Sequence, residues 1–166
     1  MNETTPSDTP QIDPAKIQAL EQRLLSEQNM PLAIGAGAVA ALIGAALWAV
    51  VTVSSNYQIG WMAVGVGILV GWMVRIAGKG VTKPFGIIGA VFALLGCLLG
   101  NLLSVYGFAA NELHMSFFTA FSNLPFALVQ NVFTENMSPM DFLFYGIAVF
   151  EGYKFSIRQL TAADLN

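Results

Sequence analysis

Uncharged apolar blocks, separated by short polar segments, dominate the chain from residue 31 onward. Residues 31–53, 57–74 and 84–111 contain no charged side chain. Each block is long enough to cross a hydrocarbon layer of about 30 Å as a helix that rises about 1.5 Å per residue. A chain of 166 residues is too short to bury three such helices on all sides. The pattern therefore predicts three membrane spans, over about residues 31–53, 57–77 and 85–109.

The polar segment ahead of the first block, residues 1–29, is expected in the cytoplasm. Asp13 followed by Pro14 is typical of a helix start, and apolar residues follow at helical spacing. This predicts a short amphipathic helix that ends near Gln28. No basic region with a short apolar run precedes the first span, which is therefore expected to be an uncleaved signal-anchor.

The second half of the chain contains two candidates for a fourth span. Ser138 is a typical helix cap, and the apolar helix that follows it favours a span over about residues 139–155. Residues 111–136 then form an extra-cytoplasmic segment, predicted as two short interfacial helices that break near Pro125. The alternative makes residues 113–133 the span and places the last helix on the inner surface.

Basic side chains decide the predicted orientation. With four spans, all seven of them fall on one side of the bilayer: Lys16, Arg23, Arg75, Lys79, Lys83, Lys154 and Arg158. Lys and Arg are retained preferentially on the cytoplasmic side. We therefore expect both termini in the cytoplasm, with residues 159–166 as a short tail. Five spans would move Lys154 and Arg158 to the other side and are disfavoured.

Small residues form a packing face on each of the three apolar blocks. They recur at intervals of four residues, at Gly37, Ala41 and Ala45, at Gly67 and Gly71, and at Gly96 and Gly100. Such faces let helix backbones approach closely within a bilayer. Three faces offer more surface than one four-helix unit needs. This predicts self-association or association with another membrane subunit.

Catalytic and metal-binding constellations are not evident in the sequence. Cys97 is the single cysteine and lies inside an apolar block, so no zinc-type spacing exists. His114, the single histidine, is two residues from Glu112 and does not share a helix face with it. A net charge of −3 supplies no general basic field for nucleic acid. We expect no enzyme activity, no metal and no cofactor.

Two small groups of side chains are candidates for specific contacts. The cationic group, between spans two and three, can hold anionic lipid headgroups and consists of Arg75, Lys79 and Lys83. The second group is polar or ionisable and lies within predicted spans, where such residues bond between helices or mark ion paths. Its members are Asn101, Ser104 and Glu151.

Two passages resemble a known group of proteins. The first is YQIGWMAVGVGILVGWMVR, residues 57–75, with the following GKG and the later LLGCLLGNLL; the second is FLFYGIAVFEGYKF, residues 142–155. Over residues 35–110 and 138–158 the chain resembles small bacterial four-span membrane proteins of unassigned role. The resemblance implies a bacterial inner-membrane location and a last span at residues 142–155. This chain lacks the Cys-rich N-terminal module, such as a zinc ribbon, that some members carry.

The pattern as a whole favours a non-enzymatic oligomeric membrane scaffold or accessory subunit, because packing faces are abundant and buried charge is scarce. The alternative is an oligomeric channel or small transporter with a polar path near Asn101, Ser104 and Glu151. A continuous polar track through the bundle would favour the alternative. A lipid-modifying enzyme ranks last, since the sequence offers neither a nucleophile nor a metal set.

Overall fold

The computed structural model describes residues 14–57 and 60–159, and the regular structure in these ranges is entirely helical. The predicted cap at Asp13 and all of the predicted tail beyond residue 159 lie outside them. The helices are α1 (Pro14–Ser26), α2 (Met30–Ser55), α3 (Trp61–Gly78), α4 (Lys83–Glu112), α5 (Phe117–Asn123), α6 (Phe126–Asn136) and α7 (Pro139–Ser156).

Within residues 14–57 and 60–159, three helices, α2, α3 and α4, are long and apolar enough to cross a membrane, rather than the four we expected. The expected fourth, α7, has 18 residues and begins at the predicted cap, where Ser138 accepts a backbone hydrogen bond. However, α7 contains three charged residues, Asp141, Glu151 and Lys154. These are too many for an 18-residue helix to qualify as a span by length and composition alone. The expectation of four spans is thus corrected to three on these criteria.

The segment between α4 and α7 forms two short helices, which confirms the break predicted at Pro125. Leu124, between α5 and α6, is extended with φ −77° and ψ 125°, as a residue before proline prefers. The two helices contain 7 and 11 residues. Neither is long enough to cross a bilayer alone, so the alternative of one span over residues 113–133 is wrong.

Four helices, α2, α3, α4 and α7, form a bundle. α2 packs against α3 and α4, and α7 packs against the same two helices from the other side. α3 and α4 also touch each other, whereas α2 and α7 make no close backbone contact within the described residues. α5 and α6 both pack on α4. α4 is therefore the central helix of these elements.

Glycines determine how closely α7 approaches its two neighbours. A Cβ atom on Gly67 of α3 would lie 2.5 Å from the carbonyl oxygen of Ala148 of α7. A Cβ atom on Gly152 of α7 would lie 2.7 Å from the Cβ of Ala93 and from the carbonyl oxygen of Gly89. Even an alanine would therefore push these backbones apart, and only glycine permits the observed approach.

Glycines at the contacts between α2 and α4 make room for side chains instead. A Cβ atom on Gly37 would lie 2.7 Å from the Phe92 ring, and one on Gly100 would lie 3.0 Å from Trp48. All the predicted packing positions are covered by neighbours within this chain. The glycines in contact are Gly37, Gly67, Gly71, Gly96 and Gly100. Ala41 and Ala45 are buried as well. These faces are therefore not surplus, and they give no support of their own to self-association.

Backbone hydrogen bonds tie three separate segments together at one end of the bundle. The Asn29 amide donates to the Gly78 carbonyl at 2.9 Å, and the Arg158 amide donates to the Gly80 carbonyl at 2.8 Å. The Arg158 guanidinium also lies 3.8 Å from the Glu27 carboxylate. We call this the basic end, because the cationic residues Arg75, Lys79, Lys83, Lys154 and Arg158 lie at or near it.

The four bundle helices differ in length, and this shapes the opposite end. α2 and α4 contain 26 and 30 residues, whereas α3 and α7 contain 18 each. At about 1.5 Å per residue, α4 is about 18 Å longer than α7. Because α4 starts at the basic end, most of its extra length projects at the other end. There α5 and α6 fold against it, and we call this the α6 end.

The glycine contacts predict a sharp difference between two positions on α3. Gly67→Ala should lower the free energy of unfolding by about 1–3 kcal/mol, because its methyl group meets the α7 backbone. Gly65→Ala, with nothing within 4 Å of the new methyl group, should be neutral or stabilising by up to about 1 kcal/mol. Denaturant titration in detergent micelles, followed by circular dichroism, measures both. Equal effects at the two positions would contradict this packing.

Candidate functional site

A buried polar layer crosses the bundle between its centre and the α6 end. The Asn101 side-chain amide of α4 donates to the Tyr145 hydroxyl of α7 at 2.9 Å. The Tyr145 ring meets Trp48 of α2 edge-on, with ring centroids 6.5 Å apart. All three side chains are buried, with exposures of 7%, 5% and 1%. The layer thus connects α2 to α7 through side chains, although their backbones do not touch.

Two polar atoms of the layer lack a partner. The Trp48 indole nitrogen and the Thr52 hydroxyl, one turn apart on α2, are buried without a hydrogen bond to any described residue. The Ser104 hydroxyl, in contrast, donates to the Gly100 carbonyl one turn earlier on α4, at 2.8 Å. Leaving a buried polar atom unpaired costs about 1–3 kcal/mol. The layer is therefore not fully stabilised by the polar groups of this chain.

Asp141 has a structural role at the start of α7. Its carboxylate accepts a hydrogen bond from the Ser138 amide at 2.8 Å, while the Ser138 hydroxyl accepts from the Met140 amide at 3.2 Å. This reciprocal pair is a capping box, which satisfies helix donors that would otherwise be unpaired. The buried carboxylate is thereby explained without assigning it chemistry.

An apolar layer closes the bundle core between the polar layer and the basic end. Val70, Ala93, Cys97 and Ala148 are each 0% exposed and belong to one packed cluster. Glu151, the third predicted polar residue, lies beyond this layer on α7 and is half-buried. The structure therefore brings Asn101 and Ser104 together but leaves Glu151 apart from them. No continuous polar track runs through the described part of one bundle.

Glu151 does not form the ion pair with Lys154 that their three-residue spacing suggests. Lys154 lies over the Phe150 ring, 5.8 Å from its centroid. In the part of the chain that the structure describes, both ion pairs involve Glu27, with Arg23 and with Arg158. Glu151 and Lys154 thus lie near the basic end of α7 without pairing to each other.

A pocket of about 420 Å³ lies between α4 and α6. Its volume falls within the roughly 300–1,000 Å³ typical of sites for small molecules. Its lining is mostly apolar and contains Asn101, Ser104, Val105, Phe108, Ala109, Glu112, Leu113, Leu124, Leu128, Val129, Val132 and Phe133. We call it the α4–α6 pocket. It is the place where two of the predicted polar residues reach a cavity.

The predicted lipid-contact residues lie at the basic end, in and beside the loop between α3 and α4. Lys79 and Lys83 are exposed, and Arg75 is half-buried. Lys79 adopts a left-handed conformation with φ 48°, and its amide closes α3 by donating to the Arg75 carbonyl at 2.9 Å. The loop is thereby held as a defined turn with its cations outward, in an arrangement that suits an anionic surface.

Side chains capable of catalysis or metal binding are dispersed. No group of three or more His, Cys, Asp and Glu that could hold a metal occurs in the described ranges. Cys97 is buried, and His114 is exposed in a left-handed conformation with φ 51°. Cys97 lies inside α4 and His114 lies just beyond its end, so the two side chains do not share a site.

Comparison of the chain with family models, curated proteins and solved structures finds no match. The resemblance to small bacterial four-span proteins therefore stays a prediction. Any functional conclusion has to rest on the polar layer, the α4–α6 pocket and the two bundle ends.

Three members of the polar layer were not predicted from the sequence. Trp48, Thr52 and Tyr145 were not assigned to a polar contact, although Trp48 and Thr52 share one helix face by their four-residue spacing. Tyr145 stands in an apolar run, FLFYGIAVF, where an aromatic side chain attracts no notice. The available signal was that a buried Tyr or Trp needs a hydrogen-bond partner, which directs attention to Asn101.

The contact between Asn101 and Tyr145 predicts a measurable coupling. Asn101→Ala and Tyr145→Phe should each destabilise the bundle. Their double variant should show a coupling energy of about 0.6–1.7 kcal/mol, as for hydrogen bonds between membrane helices. The measurement is detergent-phase unfolding of the four proteins in the cycle. Tyr153→Phe, which removes a hydroxyl from another turn of α7, is the control and should cost little. Strictly additive effects would rule out the bond.

Proposed function

We propose that this chain is a non-enzymatic integral membrane protein that acts as a scaffold or accessory subunit. The observation that carries the proposal is a bundle whose core is closed while its outward faces stay apolar. Val39, Leu47 and Val50 of α2, for example, are 52%, 54% and 63% exposed. Such faces require a cover of lipid or of another membrane protein.

A fourth crossing by α7 is part of the proposal. α7 packs along both α3 and α4, two helices that qualify as spans. Its charges lie toward its ends, where Asp141 caps the helix and Lys154 can extend its amine to the interface. The nine residues between Asp141 and Glu151 carry no charge. A helix that is too polar in isolation is thereby made acceptable within the bundle.

The orientation in the proposal follows from the two ends. The basic end, where positive charge is concentrated, faces the cytoplasm, and the α6 end faces outward. The chain then lies in a bacterial inner membrane with both termini inside, and α5 and α6 lie at the outer interface. Exposed aromatic side chains support this interfacial position, notably Phe118 at 81% and Phe126 at 61% exposure.

A channel is the alternative that the sequence left open. A path from Ser104 past Asn101 to Glu151 is opposed by the apolar layer of Val70 and Ala148, which is fully buried. A pore between several copies would instead need polar residues on outward faces, and the outward faces of α2 are apolar. The scaffold or accessory role is consequently the better supported of the two.

Cysteine labelling tests the crossing pattern. In a background with Cys97→Ala, Glu135→Cys should react with an impermeant maleimide on intact cells. Lys83→Cys and Lys154→Cys should react only after the membrane is opened, because they share the basic end. The unmodified chain, whose Cys97 is buried, is the control and should remain unlabelled. Reaction of Lys83→Cys and Lys154→Cys from opposite sides would contradict four crossings.

Extraction in native nanodiscs tests the role itself. A scaffold or accessory subunit should be recovered in particles whose protein mass exceeds one chain of 17.8 kDa, as measured by native mass spectrometry. The added mass should come from further copies or from a second membrane protein. Particles that hold a single chain and nothing else would overturn the proposal.

The same preparation separates the proposal from the channel. Proteoliposomes that contain the chain should show no more ion flux than empty liposomes. Flux that disappears in Glu151→Gln or Asn101→Leu would favour the channel instead. Tyr153→Phe, which leaves both of these side chains in place, serves as the matched variant.

A further inference from the structure

We propose that the α4–α6 pocket holds one acyl chain of a membrane phospholipid whose head carries an ammonium group, as in phosphatidylethanolamine. The inference rests on the membrane placement of α4 argued above and adds a ligand site to it. It joins three observations: the length of the pocket, the chemistry of its wall and the charge at its mouth.

The lining of the pocket is long enough for a chain-like ligand. Its wall on α4 runs from Asn101 to Leu113, a rise of about 18 Å at about 1.5 Å per residue. A volume of about 420 Å³ spread over that length makes a narrow site. A single extended hydrocarbon chain suits a site of this length and volume.

The wall of the pocket is suited to hydrocarbon along most of this length. On α6 it is formed by Leu128, Val129, Val132 and Phe133. The two polar residues of the deep end already donate hydrogen bonds within the chain, Asn101 to Tyr145 of α7 and Ser104 to the Gly100 carbonyl of its own helix. An apolar chain can therefore lie against them without breaking those bonds, whereas a strongly polar ligand gains little there.

The mouth of the pocket carries negative charge. Glu112 lines it at the end of α4 and is exposed. All seven Lys and Arg of the chain fall before α2, in or beside the α3–α4 loop, or after Glu151. An ammonium head is attracted to such a mouth, while a head with only a phosphate charge is repelled. The negative charge at the mouth therefore favours the ammonium head, and the apolar wall favours the acyl chain.

Photo-crosslinking with lipid probes tests the site. The full chain is placed in nanodiscs that contain equal amounts of phosphatidylethanolamine and phosphatidylglycerol, and one of the two carries a diazirine in its acyl chain. Mass spectrometry then measures labelling at Leu128 and Val132, with lipid-exposed Val50 as the reference. Relative to Val50, the ethanolamine probe should label the pocket about two- to fivefold more than the glycerol probe, as expected from one partly exposed charge pair.

Matched variants separate the chain from the head. Ala109→Phe places a ring in the pocket and should reduce labelling by both probes, whereas Val91→Phe, on an exposed part of α4 outside the pocket, should not. Glu112→Gln should remove the preference for the ethanolamine probe, and Glu112→Lys should reverse it. Glu135→Gln, outside the pocket lining, should keep most of the preference.

Three outcomes would overturn the assignment. The first is a probe ratio at the pocket equal to the ratio at Val50. The second is a ratio that survives Glu112→Lys, and the third is exclusion of both probes, as a bound protein segment would cause. Failure of membrane placement looks different, because the chain would then be released by alkaline carbonate and Val50 would not be labelled either.

Discussion

The close approach of α7 to α3 and α4 is the constraint on which the rest of the structure depends. Gly67 admits the backbone at Ala148, and Gly89 and Gly152 admit each other across the second contact. This fit fixes the height of α7 in the bundle, which sets Tyr145 opposite Asn101. In a bilayer, where apolar side chains gain little by leaving lipid, such packing is a main source of helix association. A bulkier residue at these points would displace the polar layer as well as the helix.

Local features of the chain were predictable because each depends on a few neighbouring residues. The apolar blocks, the break at Pro125 and the cap at Ser138 all appear in the structure within a few residues of their predicted places. The number of spans was not predictable in the same way. The cap at Ser138 and the apolar run after it favoured α7 as a fourth span. The three charges of this 18-residue helix instead leave α2, α3 and α4 as the described helices that are long and apolar enough to cross a membrane. The partner of the glycine faces was mispredicted for a related reason. Four-residue spacing shows that another helix can approach closely, but it does not show which helix does.

The candidate site was predictable only in part. Asn101 and Ser104 stand out as polar residues in an apolar helix, and both reach the α4–α6 pocket. Glu151 stands out equally, yet an apolar layer separates it from them. The pocket itself depends on the extra length of α4 and on α6 folding back against it. Both are consequences of the tertiary arrangement, which no single segment encodes.

The two ends of the bundle differ in a way that bears on where binding occurs. At the basic end, backbone hydrogen bonds join the segments that precede α2, precede α4 and follow α7, so these segments are held to one another. At the α6 end, α5 and α6 rest on α4 alone among the helices, and their exposed aromatic side chains face outward. Fewer contacts mean a lower local free energy of opening. The proposed lipid would therefore exchange at the α6 end while the tied end keeps the four helices in register.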